Sequence, residues 1–387
     1  MKTMIDFVAE TEFIILLVFT GYSVFIFNCD IMGVVIFMNR KKKVVIFQST
    51  PEGVDLTYKE MENEWKHQLE KYEEIGEYQI IHKTQKITSD SYIREIGDAD
   101  AVMGPVIHSD FVNEELFRLH PNLKYIATLD HGYGLFDTEL TRRYQVTMTN
   151  TIYGDRIIAQ FAMALLLEIC HHVWNHSEYT KNQYWIDREK TPDMGYEHLL
   201  TPQIELTDKV MGIIGPGNIG RRMAGLAKAL GMHVIAFSRT GAGKKYKDAS
   251  TGLADVIDEY VSFEELLEKS DVISVHCPLT QDTKKMIDKS AFSLMKQGVI
   301  LINTARGAII DEDALLEALN NRKVYMAGLD VIAKEPPVYK TALMESPYTI
   351  ITPHIAWQSR DARLRAIRLA VETYIKYLHG KIEHQIN

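Results

Sequence analysis

Val210-Met211-Gly212-Ile213-Ile214-Gly215-Pro216-Gly217-Asn218-Ile219-Gly220 decides the fold. It opens as an apolar run with the length of a buried parallel strand and passes directly into Gly-x-Gly-x-x-Gly. Alone, that glycine pattern is weak. Here the helical stretch Arg221 to Leu230 follows it, and then a second strand-like run, His233-Val234-Ile235-Ala236-Phe237, so a whole strand-helix-strand unit is present. Each glycine has a physical duty. Gly215 makes the tight turn, Gly217 lets backbone amides approach a pyrophosphate, and Gly220 allows close packing of helix on strand. Asn218 and Ile219 open the helix, whose N-terminus favours negative charge. The expected ligand is a dinucleotide.

Sites for NAD place a carboxylate at the end of the second strand to take the ribose hydroxyls. That position holds Ser238, followed by Arg239-Thr240, with Lys244 and Lys245 nearby. A hydroxyl beside a guanidinium suits a 2′-phosphate, which a carboxylate would repel, so NADP(H) is favoured over NAD(H). In the competing reading, Arg239 only caps the strand and NAD binds through water.

Outward from this unit, from Met38 to the end, apolar strand-like runs alternate with amphipathic helical stretches, the signature of parallel α/β architecture. Strands are expected at 43–48, 78–82, 101–103 and 123–128, and a charged surface helix at 57–75. A first unit ends near Met148. A long helix begins near Gly154, and its run Phe161-Ala162-Met163-Ala164-Leu165-Leu166-Leu167 is apolar around much of its circumference. Burial on more than one side must follow, between domains or across a homodimer. A second strand-helix series runs from Lys209 to about 352, and a basic and apolar helix at 360–380 returns the chain to the first domain.

A chain of 387 residues is long enough for two ordinary domains, and 46% hydrophobic with 25% charged residues is a globular composition, not a disordered one. The 43 Lys and Arg against 52 Asp and Glu leave a net charge of -9 with no basic tail or stripe, which disfavours a nucleic-acid partner. Cys29, Cys170 and Cys277 lie far apart and form no Cys-x-x-Cys pair. Neither a disulfide framework nor a metal site is expected, and a reducing compartment, the cytoplasm, fits best.

The N-terminus departs from this pattern. Phe13 to Cys29 is uncharged and largely apolar, and 31–38 continues the character after Asp30, reaching the lower limit for a membrane span. Residues 1–38 have three readings. They are a spurious extension ahead of a start at Met38, a membrane anchor whose flank Arg40-Lys41-Lys42-Lys43 holds the remainder on the cytoplasmic side, or an ordinary buried segment. The first is favoured, because Val44-Val45-Ile46-Phe47 follows at once as a strand. Asp6, Glu10 and Glu12 argue against a signal peptide.

Four further motifs follow in order: Val275-His276-Cys277-Pro278-Leu279-Thr280, Leu301-Ile302-Asn303-Thr304-Ala305-Arg306-Gly307, Gly328-Leu329-Asp330-Val331 leading to Glu335-Pro336, and Thr352-Pro353-His354-Ile355-Ala356-Trp357. In order and spacing they resemble the D-isomer-specific 2-hydroxyacid dehydrogenase family over nearly the whole chain from Lys43. Through Leu123-Lys124-Tyr125-Ile126, Gly132-Tyr133, Ala159-Gln160, Ile204-Glu205-Leu206 and His354-Ile355-Ala356-Trp357 the chain most resembles the glycerate dehydrogenase or hydroxypyruvate reductase branch. The resemblance implies two Rossmann-like domains with parallel sheets: a flavodoxin-like substrate-binding domain at 39–148 plus 354–387, and a dinucleotide-binding domain at 149–353. A homodimer is expected as one of the two ways of burying the 161–167 run.

Each member of the trio Arg306, Glu335 and His354 sits at a strand end or in the loop after it, where α/β sheets place their sites. A guanidinium at 306 can hold a 2-oxo acid by its carboxylate while polarising its carbonyl. An imidazole titrates near neutrality and can give the carbonyl oxygen a proton in reduction and take it back in oxidation. A carboxylate at 335 fixes the tautomer and favours the protonated ring. The bland alternatives are a salt bridge for Arg306 and a structural pair for Glu335 and His354.

By the family pattern, amides around His131 and Gly132 bind the substrate carboxylate. Cys277, Pro278 and Thr283 line the adenosine side, and Thr304 and Asp330 face the nicotinamide ribose or carboxamide. Trp357 either walls the pocket or fills core. The loop Asp130-His131-Gly132-Tyr133-Gly134 departs from the commonest form, which leaves the identity of the 2-oxo acid open between hydroxypyruvate, glyoxylate and their relatives. The competing function is a dinucleotide-binding regulatory protein of the corepressor kind, without metabolic turnover.

Overall fold

The computed structural model describes residues 22–24, 37–39, 41–49, 56–82, 88–105, 107, 109–129, 132, 136–185, 199–239 and 256–387. Contacts divide the chain into two units, one of Met1–Asp130, Leu135–Thr151 and Ile367–Asn387, the other of His131–Gly134 and Ile152–Ala366. The sequence puts the crossings at 148/149 and 353/354; the contacts put them at 151/152 and at 366/367, the latter inside the helix Arg360–Leu378. A continuous helix carries no signal in its sequence of which turn belongs to which unit.

Near the N-terminus, β1 (Tyr22–Val24) pairs antiparallel with β2 (Phe37–Asn39). The remainder of the apolar segment 1–38 lies outside the described residues. The first unit is otherwise built on β3 (Lys42–Gln48), β4 (Ile75–His82), β5 (Ala101–Gly104), β6 (Tyr125–Thr128) and β7 (Thr147–Thr149). All pair in parallel in the order β4-β3-β5-β6-β7, the flavodoxin-like order. Val44, Val45, Ile46 and Phe47 are fully buried, as an apolar run covered on both faces requires.

The helix Tyr58–Leu69 starts at a capping box in which the Thr57 side chain accepts from Glu60 N–H and the Glu60 carboxylate accepts from Thr57 N–H. Met61, Trp65 and Leu69, four residues apart, bury one face. It ends earlier than the sequence pattern implies because Ile75 is taken into β4 opposite Lys42. At the C-terminus, Gln385 bridges Thr149 antiparallel, and the Asn387 side chain accepts from Met148 N–H at 3.0 Å.

The second unit carries β8 (Val210–Ile214), β9 (His233–Phe237), β10 (Glu259–Tyr260), β11 (Val272–Val275), β12 (Val299–Asn303), β13 (Val324–Leu329) and β14 (Thr349–Ile351). They form one parallel sheet in the order β10-β9-β8-β11-β12-β13-β14. Order reverses between β8 and β11, and ligands of doubly wound sheets bind outside the strand ends at such a switch point.

The helix Asp155–His171 buries Ala159, Ala162, Leu165, Leu166 and Ile169 in one cluster with Met211, Ile213, Val234 and Ile302. On the other face, Leu266, Phe292, Leu315 and Leu319 close a second cluster from the helices Phe263–Lys269, Lys289–Leu294 and Glu312–Asn320. Among the described residues no single helix is long and apolar enough to cross a membrane.

Candidate active site

The glycine turn after β8 has the shape its sequence demands. Gly215 takes φ +90, where side chains are strained, and a Cβ on it would stand 2.7 Å from the Cys277 backbone nitrogen. A Cβ on Gly220 would stand 2.4 Å from the Gly215 carbonyl oxygen, so helix and strand touch there. Gly217 is the opposite case. It begins the helix Asn218–Ala229 with no side-chain cap, and the space beside it is open. The first backbone N–H groups of a helix have no partner within it, so Asn218, Ile219 and Gly220 offer donors towards that space.

Thr304, directly after β12, is buried, and its Oγ1 has no hydrogen-bond partner. Open space beside Gly217 and an orphaned hydroxyl at Thr304 fit a bound nicotinamide dinucleotide, with Gly215 to Gly220 holding the pyrophosphate and Thr304 a ribose or carboxamide group.

The turns after β12, β13 and β14 assemble the trio, because these strands are neighbours in the sheet. Buried Asn303 shapes the first turn: its Oδ1 accepts from Ala305 N–H at 2.9 Å and its Nδ2 donates to the Arg306 carbonyl at 3.0 Å. Arg306 Nη1 donates to the Ala305 carbonyl at 2.7 Å, which orients the guanidinium. A Cβ on Gly132 would lie 1.8 Å from Arg306 Nη2, so the backbone at Gly132 lies against the guanidinium. A Cβ on Gly307 would lie 1.9 Å from the Ile332 carbonyl carbon, which sets the Arg306 turn against the turn carrying Glu335.

Glu335 Oε1 accepts from Ile332 N–H at 2.8 Å, and Oε2 meets His354 Nδ1 at 2.6 Å. Burial alone would push this carboxyl up. The hydrogen bonds from His354 and Ile332 outweigh it, aided by the charges of His354 and Arg306, and hold it below the usual range. With Nδ1 engaged, Nε2 is the ring nitrogen left to serve a substrate.

His354 itself sits at φ 57, unusual for a side-chain-bearing residue, and the surrounding bonds enforce it. Its N–H donates to the Asp330 carbonyl at 2.9 Å, and Trp357 Nε1 donates to its carbonyl at 3.0 Å. Trp357 is thereby a brace for the histidine loop, a role between the two expected for it.

Asp330 and Thr283, expected beside the cofactor, also hold the loops around them. The Asp330 carboxylate is buried and accepts from Thr352 Oγ1 at 2.6 Å, Ile355 N–H at 2.9 Å and Ala356 N–H at 2.9 Å, so it builds the histidine loop. Thr283 Oγ1 donates to the Pro278 carbonyl at 2.7 Å and accepts from Thr280 N–H at 2.7 Å, closing its own loop. Cys277 packs on Gly215, and burial pushes its thiol up to about 11, so it is no nucleophile at neutral pH.

Arg239 forms an ion pair with Asp282, a partner the sequence did not disclose. His131 and Thr240 lie outside the described residues, as do Lys244 and Lys245.

Fold and site together define an oxidoreductase that works with a nicotinamide dinucleotide. The family described as D-isomer specific 2-hydroxyacid dehydrogenase, NAD binding domain, matches residues 163–356. A hydroxypyruvate reductase of Blautia hydrogenotrophica is 37% identical over 316 residues, 81% of this chain and 93% of that protein. A glyoxylate reductase of Aeropyrum pernix is 30% identical over 347 residues, 89% of this chain and 95% of its own. The crystal structure of a Thermus thermophilus protein is similar with a TM-score of 0.71 at 27% identity, covering 89% of this chain and 100% of that one. The chain belongs to the D-isomer specific 2-hydroxyacid dehydrogenase family, and it is an enzyme acting on the CH–OH group of 2-hydroxy acids and the carbonyl of 2-oxo acids.

Proposed function

We propose that the protein reduces a small 2-oxo acid, hydroxypyruvate or glyoxylate, to the D-2-hydroxy acid, with NADP(H) favoured over NAD(H). One observation carries the chemistry: Arg306, Glu335 and His354 converge at three adjacent strand ends, with His354 Nδ1 held by Glu335 at 2.6 Å. Arg306 binds the substrate carboxylate and draws charge onto the carbonyl oxygen. The Gly132 backbone, lying against the guanidinium, borders the same carboxylate. His354 Nε2 donates a proton to that oxygen as the alcohol forms and recovers it in oxidation, while Glu335 holds the ring in place. The dinucleotide, when bound, supplies or accepts the hydride.

The choice of substrate rests on the reductase relatives and on the residues flanking His354, and the choice of cofactor on Ser238 and Arg239. A homodimer is supported by the exposed apolar side chains Val173, Trp174, Trp185 and Leu199 that follow the core helix. A cytoplasmic setting is supported by the free thiols of Cys170 and Cys277. Initial rates for a panel of 2-oxo acids with NADH and NADPH test the proposal. Turnover of hydroxypyruvate or glyoxylate with NADPH is expected; no turnover with any 2-oxo acid overturns it, and a strong NADH preference overturns the cofactor assignment.

A further inference from the structure

The sequence shows no carboxylate at the end of β9, yet the structure brings one there. Asp282 comes from the loop after β11 and forms an ion pair with Nη1 of Arg239. We propose that Asp282 is a determinant of cofactor selectivity that opposes the 2′-phosphate at Arg239; this rests on the reading that Arg239 faces that phosphate.

Three observations carry it. The loop bearing Asp282 is held in shape: Thr280 N–H donates to Thr283 Oγ1 at 2.7 Å, Thr283 Oγ1 donates to the Pro278 carbonyl at 2.7 Å, and Lys284 N–H donates to the Thr280 carbonyl at 2.9 Å. The carboxylate therefore has a fixed base. The loop begins against the phosphate turn, since a Cβ on Gly215 would stand 2.7 Å from Cys277 N. Both partners are well exposed, 64% for Arg239 and 70% for Asp282, so the pair is screened by water and open to exchange.

A 2′-phosphate approaching Arg239 must compete with Asp282 for the guanidinium and meets its negative charge as well. A ribose 2′-hydroxyl meets no such repulsion and finds an acceptor. The wild-type enzyme is accordingly less selective for NADPH than Ser238-Arg239 alone implies, and position 282 tunes the ratio.

The test is the ratio of kcat/KM for NADPH to that for NADH in wild type, Asp282→Asn, Asp282→Ala and Arg239→Ala, each checked for an unchanged thermal midpoint. Both Asp282 variants are expected to raise the ratio roughly two- to fivefold, the scale of one exposed charge contact. Arg239→Ala is expected to lower it about tenfold or more. If Asp282 were only a loop pin, its loss would move both cofactors alike. An unchanged or lower ratio in the Asp282 variants, with Arg239→Ala still lowering it, overturns this proposal alone. An unchanged ratio in Arg239→Ala removes the underlying assignment of the 2′-phosphate, and the proposal with it.

Discussion

His354 Nδ1 and Glu335 Oε2 stand 2.6 Å apart, and the second Glu335 oxygen is tied to the Ile332 amide, so the ring is held from one side only. Glu335→Gln keeps the shape and removes the charge. Turnover in reduction is expected to fall by roughly a hundredfold, within the range for disabling general acid catalysis. The variant also has a signature in stability. Folding lowers the Glu335 pKa, so the ionised carboxylate adds stability above its unfolded value, about 4.3, and that contribution is lost as pH falls through the lower folded value. Thermal melts should show the gap in Tm between wild type and variant open near neutrality and closing below the ordinary carboxyl range. A gap constant across that window contradicts the assignment.

Gly132 tests the guanidinium without touching it. Alanine there would put a Cβ 1.8 Å from Arg306 Nη2, and the flexible side chain would have to move aside. KM for the 2-oxo acid is expected to rise about tenfold or more, the order of one misplaced charged contact. Arg306→Ala should lose most turnover, by roughly two to three orders of magnitude, with dinucleotide binding retained in both variants. Fluorescence titration with the reduced cofactor, run beside the kinetics, separates the two effects. Wild-type KM in Gly132→Ala would sink the placement of Gly132 against Arg306.

The trio was legible in the sequence because each member sits one short turn beyond a strong apolar strand, and β8 and β9 match their expected bounds. Contacts that depend on which loops meet across the sheet were not legible. Asp282 lies 43 residues from Arg239, and nothing local in either segment announces the other. The family pattern sets Asp330 beside the cofactor, but nothing local announces that its carboxylate also ties the 352–356 loop. Asn303 was overlooked as a turn-builder. A fully buried polar residue at a strand's C-terminal end was the available signal, since such a group must find partners.

Asp330 offers the next test. Its carboxylate collects three donors at 2.6 to 2.9 Å while 1% exposed. Asp330→Asn turns one acceptor into a donor facing backbone N–H groups, at a cost of about 1.5–3 kcal/mol. Because the same bonds hold His354 at φ 57, turnover should drop more than the loss of stability alone implies, by roughly ten- to a hundredfold in folded protein. Trp357→Phe removes only the indole donor to the His354 carbonyl and should show a smaller loss of the same kind. Full turnover by folded Asp330→Asn would mean that the loop finds its geometry without the carboxylate.

The glycines of the fingerprint separate ligand from fold. Gly220→Ala would push a methyl group to 2.4 Å from the Gly215 carbonyl, a backbone atom with little room to yield, so stability should fall by about 1–3 kcal/mol. Gly217→Ala meets no protein atom within 4 Å, so its Tm should stay close to wild type. Yet that methyl group stands in the space where a pyrophosphate would approach the first turn of the helix, and loss of dinucleotide affinity by roughly tenfold or more is expected. Melting curves and cofactor titrations on the two variants therefore diverge, one losing stability and the other chiefly binding. If Gly217→Ala binds NADPH and NADH as the wild type does, the open space beside residue 217 is not where the pyrophosphate lies.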